Sequence, residues 1–179
     1  MKIIFQLAVT GLVLVTIPGC ARPTGIIRNI SPIAVNQQTS LDVIQVTTFS
    51  SLEGVESEKR LLNDQIVSDL RESGLFSSVG ENSADLKPGD GIKITNDIKE
   101  IKRVSDHDRD WTGVLAGQAR ILVRVTVSDL KSGKEIEVFE VEGKSGRSAY
   151  GGTTEEAVQR SAEQVVGEIQ RINAQTAQW

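Results

Sequence analysis

The stretch from Ala119 to Glu142, ARILVRVTVSDLKSGKEIEVFEVE, constrains the fold of the whole chain. Apolar side chains occupy every second position from Ala119 to Val127, and this period of two predicts a strand with one buried face. The sequence KSGK at Lys131–Lys134 then predicts a tight hairpin connection into a second strand over Glu135–Glu142. We therefore expect a β-hairpin near the centre of the domain.

The region before this hairpin predicts a strand followed by a helix. Asp42–Phe49 is rich in β-branched residues, which is typical of a strand. The apolar residues between Val55 and Leu70 fall on one helical stripe, and Gly74 is expected to end the helix. Leu75 and Phe76 are then expected to return to the core.

Another strand and a second helix complete the pattern. Ile92, Ile94 and Ile98 alternate with polar residues, and a change of phase near Lys99 predicts a bulge in this strand. Thr153 and Glu156 fit the spacing of a helix capping box. The apolar stripe of the helix that follows consists of Val158, Ala162, Val165, Val166, Ile169 and Ile172.

The resulting order, β-α-β-β-β-α, predicts an α+β protein. The simplest way to bury all the apolar faces is a two-layer sandwich, in which a four-stranded, mainly antiparallel sheet carries both helices on one face. With 179 residues, 39% of them hydrophobic and 25% charged, the chain suits a single folded domain rather than a disordered one. We assign this single α+β domain to residues 41–173 and a polar tail to residues 174–179.

The N-terminus predicts a signal peptide over residues 1–19. Its apolar run, Ile3–Ile17, would span only about 22 Å as a helix, which is short of the roughly 30 Å hydrocarbon core of a bilayer. The sequence Ile17-Pro18-Gly19-Cys20 resembles the lipobox of bacterial lipoproteins, which implies cleavage before Cys20 and attachment of acyl chains there. The alternative is an ordinary secretory leader followed by a free cysteine. By the same resemblance, Ala21 implies sorting to the outer membrane in a Gram-negative host.

Residues 20–40 are interpreted as the acylated cysteine and a tether. Proline, glycine, asparagine and glutamine are frequent in this segment, and charges are few. Four isoleucines make it more apolar than a free linker needs: Ile26, Ile27, Ile30 and Ile33. Part of the segment could therefore pack along the domain as an edge segment, or form a strand that binds a partner.

Beyond these local patterns, the chain resembles a family of bacterial lipoproteins catalogued as domain of unknown function 4410. The resemblance covers about residues 41–172, and the order of its pieces carries it more than any one of them. The matching pieces are Thr48–Phe49, Asp69–Phe76, Val125–Lys134 and Gly151–Thr154. Because no activity is established for that family, the resemblance implies a fold and an envelope location but no mechanism.

The residues that could carry chemistry do not form a convincing catalytic or metal site. Asp106–Asp110 begins like a calcium loop, but Trp111 stands where the loop needs glycine and Gly117 where it needs glutamate. His107 is the only histidine and is best interpreted as a surface residue. A net charge of −4 argues against nucleic-acid binding. We therefore predict a non-enzymatic protein without a cofactor, metal or catalytic residue.

Trp111, Leu115 and Tyr150 are the candidate partner-binding residues, because tryptophan and tyrosine are enriched at binding hot spots. The alternative for Trp111 and Leu115 is that they fold back and cap the end of the sheet. We predict a lipoprotein held at the periplasmic face of the outer membrane by its acyl chains, where it binds another envelope protein or serves as an assembly module. A periplasmic protein that binds a metal or small ligand, including a weak hydrolase, and a lipoprotein that self-assembles through a strand edge remain the alternatives.

Overall fold

The computed structural model describes residues 27–31, 41–82, 84, 86, 90–103, 118–146 and 152–176. Two helices and six strands form this part of the chain. In chain order they are β1 (Ile27–Ser31), β2 (Val43–Ser50), α1 (Glu56–Glu72), β3 (Ser78–Gly80), β4 (Gly91–Lys102), β5 (Arg120–Asp129), β6 (Glu135–Lys144) and α2 (Thr154–Thr176).

The six strands form one mixed sheet in the order β1-β6-β5-β4-β2-β3. Strand β2 runs parallel to both β3 and β4, whereas the β4–β5, β5–β6 and β1–β6 pairs are antiparallel. The prediction of a four-stranded, mainly antiparallel sheet was therefore wrong, because the sheet has six strands and is mixed, with two parallel pairs. The parallel arrangement follows from α1, which carries the chain from β2 back to the end of the sheet where β2 began.

Both helices contribute to a single core. α1 and α2 pack against each other, α1 also contacts β2, and α2 contacts β5 and β6. Side chains from both helices and from the central strands are fully buried together, including Leu62, Ile66, Val123, Val125 and Ile169. The α+β class is confirmed, with two helices covering the apolar side of the sheet.

Several local predictions are confirmed. The bulge in β4 lies between Ile98 and Glu100, where the pairing with β5 changes register. Gly74 has a φ of +64°, the left-handed conformation expected at the end of a helix. Thr153 caps α2, since its Oγ1 accepts a hydrogen bond from the Glu156 backbone N–H at 3.1 Å. The placement of Leu75 was wrong, because 52% of this residue is exposed while Phe76 packs against the core.

The two ends of the domain also differ from the sequence-based boundaries. Residues 27–31, which we assigned to the tether, form β1 and pair with β6, as the edge-segment alternative requires. Helix α2 continues to Thr176, so the first residues of the expected polar tail are helical. Neither described helix has the length and apolar content needed to cross a lipid bilayer.

Candidate functional site

Strand β1 forms one open edge of the sheet. It pairs with β6 on its inner side, and no described strand pairs with its outer side. Ile27 and Ile30 are each 42% exposed there. An edge strand that presents unpaired backbone groups and apolar side chains is a template for another chain.

The opposite end of the sheet is open along half of a strand. β3 pairs only with Val43–Gln45, so Val46–Ser50 of β2 have β4 on one side and no described strand on the other. Phe49, at 49% exposure, lies on this free half, and Leu75 lies in the connection between α1 and β3. The exposed large apolar residues of the described chain therefore all lie at the two ends of the sheet.

A groove of about 310 Å³ runs beside this free half of β2. Val46, Thr47 and Thr48 line it on the strand side, and polar residues of α1 line it on the helix side. The helix residues include Glu56, Lys59, Arg60, Asn63 and Asp64. Because strand backbone forms one wall and hydrogen-bonding side chains form the other, the groove is suited to an extended polypeptide.

Asn63 is the buried polar residue of the groove. The Thr48 hydroxyl donates to Asn63 Oδ1 at 3.0 Å, and Asn96 Nδ2 donates in turn to Thr48 Oγ1 at 3.2 Å. Asn63 is only 8% exposed, and its Nδ2 donates no hydrogen bond to any described residue. Asn63 therefore lines a groove in which a ligand could accept a hydrogen bond from its amide nitrogen.

The face of the sheet opposite the helices carries a row of alternating charge. Asp97 of β4 lies opposite Arg124 of β5, which lies opposite Glu140 of β6 and then Arg28 of β1. Opposite charges at directly paired positions attract each other across strands. The row ends in Arg28 at the β1 edge and in Phe49, the partner of Asp97, at the β2 edge.

A second charge cluster is buried between α2 and β6. Arg171 Nη2 lies 2.9 Å from Glu137 Oε1 and 2.6 Å from Glu168 Oε1. Burial raises the pKa of Glu137, although the positive charge of Arg171 opposes the shift. These contacts connect α2 to β6, so we interpret the cluster as structural.

The residues singled out from the sequence lie outside the described part of the chain. They are Cys20, Trp111, Leu115 and Tyr150, together with His107 and the acidic residues at 106–110. Their roles therefore stay predictions. Within the described residues, no three potential metal ligands are grouped together.

The sequence reasoning missed the groove and Asn63. Asparagine has a low helix propensity and occurs often on surfaces, so its position on a buried helical stripe gave no usable signal. A signal for the β1 edge was present, since Ile27 and Ile30 were too apolar for a free linker.

Taken together, the sheet, the two helices and the two open edges define a small two-layer α+β domain. Residues 27–149 match the sequence profile of a family described as domain of unknown function (DUF4410). The chain belongs to this family.

Solved structures with the same fold have very different sequences. Two structures of the PelC dodecamer from Paraburkholderia phytofirmans are 12% and 14% identical to the chain, each with a TM-score of 0.54. Each match covers 79% of this chain and 95% of the PelC chain. A DUF330 protein from Xanthomonas campestris is 12% identical, with a TM-score of 0.53 and coverage of 83% and 95%. No curated protein matches the chain.

Proposed function

We propose that the protein is a lipid-anchored lipoprotein of the bacterial outer membrane, facing the periplasm, and that its domain is a non-enzymatic assembly module. In this role the domain binds other proteins, and one of its partners is a second copy of the same chain. The observation that carries this proposal is the open β1 edge with its two exposed isoleucines. Such an edge is a template for association. The pairing of β1 with β6 shifts register between Asn29 and Ser31, so the regular part of the edge is Ile27–Asn29.

The order of features along the chain supports assembly at a membrane. Ile27, the first residue of β1, follows Cys20 by seven positions. Seven residues reach at most roughly 25 Å, so acyl chains on Cys20 would hold the β1 edge close to the bilayer surface. Anchoring many copies in one membrane raises their effective concentration, and even a weak edge contact then leads to assembly.

The structural neighbours support self-assembly as the mode of action. PelC, whose chain has the same fold, forms a dodecamer in its crystals. A domain with two different open edges is suited to such repeated association, because each copy offers one edge to each of two neighbours.

The mass of the full chain in mild detergent tests this proposal. We expect an oligomer by light scattering and native mass spectrometry, and we expect Ile27→Lys with Ile30→Lys to dissociate it. A matched control, Gln159→Lys with Ala174→Lys, adds the same charge at two exposed positions on α2 and should leave the oligomer intact. A wild-type chain that is monomeric at every concentration would contradict the proposed self-assembly.

A further inference from the structure

We propose that the β1 edge of one copy pairs, antiparallel, with the free half of β2 in the next copy and covers the groove beside α1. This inference rests on the self-assembly proposed above and names the two surfaces that meet. The lengths are compatible: β1 has five residues, with a register shift between Asn29 and Ser31, and the unpaired half of β2, Val46–Ser50, also has five.

The strand directions allow a continuous sheet. β2 and β4 run in the same direction, and each later neighbour reverses it, so β1 runs opposite to β2. A second copy in the same orientation would then place its β2 beside β1 in an antiparallel pair. Because the two edges are different surfaces, the contact is heterologous and repeats from copy to copy, which generates a ring or a filament.

The groove provides a donor for the incoming strand. Asn63 lines the groove and is 8% exposed, and its Nδ2 donates no hydrogen bond to a described residue. A strand added along Val46–Ser50 brings a row of backbone carbonyl oxygens into the groove beside α1. One of these oxygens can accept a hydrogen bond from Asn63 Nδ2.

The exposed side chains of the two edges are complementary. The row of alternating charge ends in Arg28 on β1, and the next copy begins its row with Phe49 followed by Asp97. Arg28 can stack on the exposed ring of Phe49 and face Asp97, so the alternation continues across the contact. Ile27 and Ile30 are covered by the same pairing, and this is why we assign the groove to a second copy rather than to a foreign peptide.

Two edge-blocked variants of the full chain test this pairing in detergent. The first variant combines Ile27→Lys with Ile30→Lys, which blocks the β1 edge and leaves the β2 edge open. The second variant combines Thr47→Lys with Phe49→Lys, which blocks the β2 edge and leaves the β1 edge open. We expect each blocked edge to weaken association by at least about tenfold, because each variant buries lysine charges in place of the side chains that the pairing would cover. Each variant alone should be monomeric, and a mixture of the two should form a 1:1 heterodimer.

Other outcomes separate this inference from the proposed function. If the wild type is an oligomer and Thr47→Lys with Phe49→Lys leaves it intact, the edge pairing is wrong while self-assembly stands. If a variant alone forms a homodimer through its open edge, like edges pair with like. If both variants are monomeric and their mixture does not associate, the β1 and β2 edges do not bind each other. Either result overturns the inference. A monomeric wild type would overturn both proposals. Equal thermal melting of the variants and the wild type shows that the domain remains folded.

Cysteine crosslinking in cells gives a second, independent readout. Two differently tagged copies carry Arg28→Cys and Phe49→Cys respectively, and we expect a crosslinked species that contains both tags. The control replaces Phe49→Cys by Gln159→Cys on the exposed surface of α2 and should give none. If Phe49→Cys crosslinks only to another protein, the groove holds a foreign partner and the inference is wrong.

Discussion

At the scale of single residues, Glu137 is the most informative side chain of the described domain. Only 1% of the side chain is exposed, and its charge depends on Arg171, which also holds Glu168. Since burial raises the pKa of Glu137, the folded state binds this proton more tightly than the unfolded chain does. The contribution of Glu137 to stability therefore falls as the pH rises from the ordinary glutamate value through the raised pKa.

The dependence of the Glu137 charge on Arg171 can be tested by replacing Arg171. We expect Arg171→Ala to lower the free energy of unfolding by about 2–3 kcal/mol at pH 8, somewhat below the roughly 3–5 kcal/mol found for fully buried pairs. The value is lower because 36% of the Arg171 side chain is exposed. The loss should shrink at pH 4, where Glu137 takes up a proton. Urea unfolding at the two pH values measures both quantities.

The double variant Arg171→Ala with Glu137→Gln separates charge from packing. A neutral amide removes the charge of Glu137 but leaves Glu168 without its partner, so the double variant should regain part of the stability lost at pH 8. A double variant as unstable as Arg171→Ala would instead assign the loss to the packing of the arginine stem.

Trp111 is the residue for which a role in partner binding is most directly testable. We expect Trp111→Ala to weaken the capture of an envelope partner by crosslinking in cells and to leave the melting temperature nearly unchanged, because a hot-spot side chain acts mainly in the complex. A large drop in melting temperature with capture intact would show that Trp111 caps the sheet instead.

At the scale of elements, the packing of α2 on β6 depends on a glycine. A Cβ added at Gly143 would lie 2.1 Å from the Ala157 carbonyl oxygen and 2.3 Å from Ser161 Oγ. Helix α2 can approach β6 this closely only because no side chain intervenes. The small residues Ala157 and Ser161 on the helix complete the contact.

We expect Gly143→Ala to destabilise the domain by about 1–3 kcal/mol, because the helix must shift away from the strand. Gly167 provides the matched control, since it lies on the exposed side of α2 and an added Cβ there meets nothing within 4 Å. Gly167→Ala should stabilise the domain by roughly 0.5–1 kcal/mol through the helix preference of alanine. Thermal unfolding of the two variants compares them, and equal effects would contradict this account of the contact.

The elements also show what a sequence can and cannot reveal. The β5–β6 hairpin and α2 were predictable because each repeats its period over many residues. β1 and β3, with five and three residues, are too short to show a period, and a period of two does not say whether β2 and β4 run parallel. The groove was not predictable, since only the folded chain brings Thr48 and Asn63 together.

At the scale of the whole molecule, the proposed assembly joins a membrane anchor to a sheet that is open at both ends. In this proposal the acyl anchor brings the copies together at the membrane surface, and the strand edges determine how neighbouring copies pair. A chain without its anchor keeps both edges but loses the concentration that the membrane provides, so it should still associate, at higher protein concentration.

The anchor itself is tested by Cys20→Ser in a Gram-negative host. Two or more acyl chains give stable membrane attachment, whereas a chain without them has none from this source. We expect the wild type to incorporate labelled palmitate and to fractionate with the outer membrane. Cys20→Ser should incorporate none, and Ala21→Asp should remain labelled but move to the inner membrane, because an aspartate at that position resembles the retention signal of lipoproteins. Unchanged labelling of Cys20→Ser would contradict the lipobox interpretation, and unchanged sorting of Ala21→Asp would contradict only the outer-membrane assignment.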